Sequence, residues 1–190
     1  MTKIKLAYEK IQFNKVLFND FYILKNRIEK KSLKQKKFFL IKNFIRTLYH
    51  SIFYSPYVKK NSKNCKIFYI RTFNREDIVK NSVNYEQIEG TTVCVLEKKI
   101  KKINFKILIF SGIDLFKSKS YWLKFFKENK IKLFSYSGVI LLTKLYEVYS
   151  QTLKIIPLVL KHKTLVSCNQ SLPTENMICQ LANLNKIETY

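Results

Sequence analysis

The sequence predicts an α/β fold: a mainly parallel sheet preceded by two basic amphipathic helices. Three observations carry that expectation. Apolar residues make up 47% of the 190 positions while Gly and Pro contribute only three each, so the chain can bury a core and favours long regular elements. Apolar spacing is helical as far as Pro56. From Cys65 onward, short β-branched and aromatic runs alternate with helical stretches, which implies crossover connections and parallel strand pairs.

The first helix is expected over residues 3–30, where Ile4, Ala7, Tyr8, Ile11, Val16, Tyr22 and Ile28 recur at roughly helical intervals, with an interruption near Asn19 and Asp20. The lysine-rich run 30–37 separates it from a second helix. That helix ends before Pro56, because proline disfavours helix at the residue preceding it. Within it, Lys42, Arg46 and His50 interrupt an aromatic and aliphatic run. No stretch therefore reaches the roughly 18 apolar residues of a membrane span. The pattern describes an amphipathic helix that packs on the domain or lies on an anionic membrane, and packing is the expected use.

Strands are expected at 65–71 (CKIFYIR), 91–96 (TTVCVL), 105–111 (FKILIFS), 131–136 (IKLFSY) and 164–169 (TLVSCN), with a further strand beginning in 186–190. Helices are expected at 119–129, at 138–160 with a break at Pro157, and at 173–185. The domain reading is a basic helical segment over 1–63 and an α/β domain over 64–190. Residues 1–63 hold 16 Lys and Arg against Glu9, Asp20 and Glu29, and so carry +13 of the total charge of +23. Abundant Lys, Ile, Asn, Phe and Tyr are also what an AT-rich genome favours. Base composition and selection for an anionic partner both remain open as sources of the charge.

Cys65, Cys94, Cys168 and Cys179 stand singly, without metal-ligand spacing, and read as structural thiols of a reducing compartment. Lysines and Glu9 break up the start of the chain, so no secretory leader is expected. Gly90, Gly112 and Gly138 are too far apart for a phosphate-binding loop. The run from Ser111 to Asp114 reads as a polar turn capping the next helix. His162 reads as a cation stabilised at a helix C-terminus, and neither it nor His50 has a catalytic setting. The richest polar stretch is the strand-to-helix junction 167–176. It gathers hydroxyl, amide and carboxylate groups, and Pro173 is placed to open the following helix.

Residues 164–190 (TLVSCNQSLPTENMICQLANLNKIETY) resemble a stretch of bacterial enzymes of surface (capsular) polysaccharide synthesis with a GT-B-type glycosyltransferase architecture. In that pattern a polar turn, a helix with a Gln-x-Ala-Asn core and a Thr-Tyr strand lead into a His-Gly turn at an interdomain cleft. Gln180, Ala182, Asn183, Thr189 and Tyr190 match the run, and the chain stops where the His-Gly turn would follow. The resemblance implies a Rossmann-like domain over 64–190, shortened at its carboxyl end, equivalent to the acceptor-side half of such a transferase. The half that would hold the sugar nucleotide is absent from that reading.

A truncated or split glycosyltransferase-like protein, inactive alone, is thus the first expectation. Ser167, Asn169, Glu175 and Asn176 are the expected contacts with an acceptor or a missing partner, and Glu175 is the one carboxylate among them that could serve as a base. No catalytic residue, metal or cofactor is assigned. The expected partners are a missing carboxyl-terminal half or partner chain, an anionic membrane touched peripherally, and nucleic acid. The expected location is cytoplasmic, at the inner membrane face. Two alternatives stand beside it: a small basic nucleic-acid-binding protein, and a non-enzymatic α/β protein whose last strand pairs with another chain.

Overall fold

The computed structural model describes residues 7–28, 30–60, 62, 64–71, 88–99, 104–167 and 172–190. After a 3-10 turn at Tyr8–Lys10 come α1 (Phe13–Ile28), α2 (Leu33–Phe53), β1 (Tyr54–Lys60), β2 (Ile67–Arg71) and β3 (Thr91–Lys99). Then follow α3 (Phe105–Lys117), α4 (Lys119–Glu128), α5 (Tyr136–Val159), β4 (Thr164–Ser167), α6 (Pro173–Leu184) and β5 (Glu188–Thr189). Helix α1 runs through Asn19 and Asp20 without the expected interruption. Helix α2 starts inside the lysine-rich run because Ser32 and Gln35 form a capping box. Each side chain there takes the other residue's backbone N–H, and two donors at the helix start are satisfied.

Among the described residues, five strands form one mixed sheet in the order β1-β3-β2-β4-β5. Three neighbouring pairs are parallel, and β1 joins the edge antiparallel to β3. The mostly parallel α/β class is as expected, with β2, β3, β4 and the short β5 in their expected places. Strand β1 is unforeseen. Pro56, expected only as a helix stop, lies in an edge strand where the register shifts between Ser55 and Tyr57, a position that tolerates a missing N–H.

Two expected strands are not strands. The run 105–111 is the first half of α3, started by Asn104, whose side chain accepts from the Ile107 N–H at 3.3 Å. A short apolar run has no period that separates a buried strand from a helix. The run 131–136 is a turn leading into α5, where Ser135 Oγ accepts from the Gly138 N–H at 3.1 Å. The run from Ser111 to Asp114 is therefore mid-helix and not a capping turn, and Ser111 Oγ donates to the Ile107 carbonyl at 2.6 Å. Pro157 does not break α5, which continues to Val159.

The core gathers on α5. It buries Ile140, Leu141, Leu145, Tyr149, Ile155 and Ile156, and α1, α2, α3 and α6 all pack against it. Phe68 and Ile70 of β2, Cys94 of β3 and Leu165 of β4 face this layer, while Tyr69, Val93 and Val166 form a smaller cluster on the opposite sheet face. Val16 and Leu17 bring α1 into the same core. The junction of α3 and α4 is pinned to α5 by polar groups. Tyr149 Oη donates to Ser118 Oγ at 2.6 Å, and Trp122 Nε1 donates to the Leu115 carbonyl at 2.9 Å.

Helices α2 and α3 both leave large apolar side chains on their outer faces, and α2 packs by its polar side. Helix α2 turns Asn43, Thr47 and Ser51 inward at four-residue spacing, and leaves Phe38, Ile41, Ile45, Leu48 and Tyr49 exposed. Helix α3 buries Ser111 and exposes Phe105, Ile109, Phe110, Ile113 and Phe116. Phe38 is 70% and Phe116 72% exposed. Packing of the apolar side of α2 onto the domain, the expected arrangement, is thus reversed.

The start of α5 allows no side chain at Gly138. A Cβ there would sit 2.6 Å from the Leu133 carbonyl oxygen and closer still to that of Lys132, whereas a Cβ on Gly112 of α3 would meet nothing. Gly138→Ala is expected to destabilise the protein by about 1–3 kcal/mol through forced backbone movement. Gly112→Ala should stabilise it by about 0.5–1 kcal/mol through helix propensity. Urea unfolding midpoints of the two variants check both signs.

Candidate functional site

Strand β4 ends at Ser167, and α6 starts after its N-cap Leu172 with Pro173 in its first turn. Glu175, in that same turn, is fully buried, and Ser167 Oγ donates a short hydrogen bond to its Oε2. The helix N-terminus favours the negative charge, and a hydroxyl donor to a carboxylate is worth roughly 1.5–3 kcal/mol. Across the sheet Ser167 pairs with Ile70, and Ile70 with Cys94, so the carboxylate lies over a row of adjacent strands near their carboxyl ends. Burial, then the charge of Glu175, pushes the Cys94 thiol up to about 12. The same two causes push Cys179 up to about 11 against a lowering hydrogen bond from Ser167. Both thiols stay protonated at neutral pH and behave as packing groups, in line with the structural role expected for them.

The four residues expected at this edge fare differently. Ser167 and Glu175 are brought together, but a carboxylate without exposed surface orients the β4–α6 junction and meets no solvent. Asn176 points along α6, where its Oδ1 accepts from Gln180 Nε2 at 2.7 Å. Gln180 Oε1 in turn accepts from the Gln12 backbone N–H at 2.7 Å, tying α6 to the start of α1. Asn169 and Cys168 lie outside the described residues. The residues carrying the resemblance have structural tasks as well: Ala182 is buried in the core, and Thr189 Oγ1 donates to Asn183 Oδ1 at 2.8 Å, closing β5 onto α6.

A groove of ≈ 1140 Å³ lies at the opposite end of the sheet, where the parallel strands begin. Lys66 precedes β2, Gly90 precedes β3, Lys163 precedes β4 and Lys186 precedes β5, with Glu89 and Glu188 between them. His162 lines it as a structural imidazole. Its Nδ1–H donates to the Leu158 carbonyl at 2.9 Å, and its Nε2 accepts from Thr92 Oγ1 at 2.8 Å. Burial lowers its pKa, so it caps the end of α5 as a neutral ring and not as the cation the sequence suggests. None of the groove's lining residues is a Phe, Tyr or Trp. It offers cations for phosphate without a stacking platform.

The densest set of ionisable groups was not found from the sequence. Between α2 and α5, His50 Nδ1 meets Glu147 Oε1 at 2.7 Å, Lys144 lies 3.9 Å from the other oxygen, and Thr47 Oγ1 donates to that oxygen at 3.4 Å. Lys154 Nζ donates to the Ser51 and Tyr54 carbonyls at 2.8 and 2.5 Å, capping the end of α2. Burial draws Lys154 down to about 8, with Glu147 opposing. Burial raises Asp20, against the pull of Lys144. His50 and Glu147 stand 97 positions apart, so no motif spacing could pair them. The legible signal was the polar stripe of Asn43, Thr47 and Ser51. Thr47 bonds across the helix contact to Glu147, Asn43 donates to the Phe39 carbonyl of its own helix, and Ser51 contributes its carbonyl to Ser150 and Lys154. Among the described residues no group of His, Cys, Asp and Glu is placed to hold a metal ion.

Burial pushes the Glu147 carboxyl up, but the His50 hydrogen bond, Lys144 and Arg46 together hold it below its ordinary value of 4.5. A carboxyl depressed in the folded state stabilises fully above its unfolded value and loses that contribution as pH falls through the folded one. Glu147→Gln is expected to cost about 1–3 kcal/mol at pH 7. The variant and the wild type should converge in unfolding midpoint only below pH 4.5. Asp20 titrates with the opposite sign, so the difference between the two proteins across a pH series is the quantity to measure.

Comparison with known proteins adds no relative to this geometry: no family model, no curated protein and no solved structure matches the chain.

Proposed function

We propose that this chain is a Rossmann-like domain of a glycosyltransferase-like protein of surface polysaccharide synthesis, holding the acceptor side of a cleft without transferring sugar by itself. The observation that carries the reading is the strand order. The four parallel strands lie β3-β2-β4-β5, so the chain leaves β2 toward one side to make β3 and returns to the other side to make β4. In open α/β sheets ligands bind at the carboxyl ends of strands where the order reverses in this way. Ser167 ends β4 at that reversal, and the N-terminus of α6, with its positive dipole end, lies at the same edge. A hydroxyl-rich acceptor suits such an edge, with Ser167 and the residues around the α6 start as contacts.

Transfer by this chain alone is not part of the proposal. Glu175 has no surface from which to take a proton, and both nitrogens of His162 are engaged. Donor and acceptor must be held together and aligned, and one domain supplies too few contacts for both. A missing half or partner chain would supply the donor side.

Contact with nucleic-acid phosphate is a second reading, favoured by the lysines of the groove at the amino ends of the strands. It ranks second because none of the groove's lining residues is a Phe, Tyr or Trp on which a base could stack.

The purified chain is expected to release no nucleotide from UDP-hexoses above an enzyme-free control. In an NMR titration with an oligosaccharide acceptor, the amide signals of Ser167 and Thr174 should move. Turnover abolished by Glu175→Gln would overturn the binding-only reading, and shifts confined to Lys66, Lys163 and Lys186 would move the site to the other end of the sheet.

A further inference from the structure

We propose that the outward faces of α2 and α3 form a docking surface for an anionic lipid bilayer. Helix α2 turns Asn43, Thr47 and Ser51 onto α5, α3 packs inward through Ser111 and Leu115, and both carry aromatic and aliphatic side chains in stripes facing solvent. Such stripes are a burden on a protein whose partner is water, because exposed apolar area of this extent drives association.

Charge identifies what covers them. Helix α2 contains no Asp or Glu over its 21 residues, and its exposed Lys37 and Lys42 border the Phe38–Ile45 stripe on opposite sides. Helix α3 has exposed Lys106 and Lys117 at the two ends of its stripe, and its one acid, Asp114, sits toward the side that packs. An apolar stripe fringed by lysines is what an interfacial helix presents to a bilayer. The stripe enters the acyl boundary while the lysine stems reach back to anionic headgroups. A second copy of this chain is a poor cover, since each copy carries +23 and the fringes would meet like charge. Among the described residues no helix is long and apolar enough to cross a membrane, which fits helices that lie on a surface.

The arrangement differs from what charge along the sequence suggests. The first helix, which also carries basic residues, buries Val16, Leu17 and Ile28 in the core, so the lipid-facing pair is α2 with α3 and not α1 with α2. The proposal does not depend on the glycosyltransferase reading, and its test contains no sugar.

Flotation of the full chain with phosphatidylcholine vesicles, and with vesicles containing about a third phosphatidylglycerol, measures the binding directly. The chain is expected to float with the acidic vesicles and stay behind with the neutral ones. Phe38→Ser with Ile45→Ser, and separately Ile109→Ser with Phe116→Ser, should each weaken binding about tenfold or more. Their unfolding midpoints should match the wild type, because all four positions are exposed. Lys34→Gln with Lys37→Gln and Lys42→Gln should remove the preference for acidic lipid. Equal flotation with both vesicle types would overturn the proposal, as would acidic-vesicle binding untouched by both serine pairs, which would reduce it to diffuse charge attraction. A lipid-free dimer that the serine pairs dissolve would assign the stripes to a second copy instead.

Discussion

What helix α5 offers to each neighbour decides which way that neighbour faces. Toward α1, α6 and the sheet it presents Ile140, Leu141, Leu145, Ile155 and Ile156, and those elements answer with apolar side chains. Toward α2 it presents Glu147, Ser150, Gln151 and Lys154. A helix packing there must bring hydrogen-bond partners, since a buried polar group left unpaired costs about 1–3 kcal/mol. Helix α2 brings Thr47, His50 and the carbonyls of its last turn. Its aromatic stripe is then forced outward, because a helix has only one inner face. The seam between the two helices and the exposed stripe are one feature seen from two sides.

That coupling explains which parts of the molecule could be read from the sequence. The strands at β2, β3 and β4 were legible because Ile, Val, Phe, Tyr and Thr cluster there over lengths too short for a helix. The same composition misled at 105–111, where the alternation of a few apolar residues fits either period and only the Asn104 cap and the continuation to Phe116 decide for a helix. Strand β1 was hidden by Pro56, whose two meanings, helix stop and edge-strand bulge, look alike without the partner strand. The direction of α2 was hidden for a different reason. The larger stripe on an amphipathic helix is read as the buried one, and here the three small polar residues opposite it determine the packing.

The candidate site divides along the same line. The 167–176 junction was legible because local sequence makes it: a strand end, a proline and an acid in the first helical turn. Which of its groups face outward was not, since the burial of Glu175 depends on α6 lying over Cys94 and Ile70 from strands about seventy and more residues earlier. The Gln180, Asn183 and Thr189 positions tie α6 to α1 and to β5, so their first task is to hold this helix–strand unit together. Activity is a separate matter, decided by groups at the surface.

The central claim is that α2, packed by its polar side, and α3 both present stripes of large apolar side chains to the surroundings. Hydroxyl-radical footprinting of the lipid-free chain, read residue by residue by mass spectrometry, tests it most directly. The account predicts rapid labelling of Phe38, Tyr49, Phe110 and Phe116, with Phe68, Phe125 and Tyr149 protected. Protection of Phe38 and Phe116 equal to that of Phe68, in a chain that remains monomeric, would contradict it.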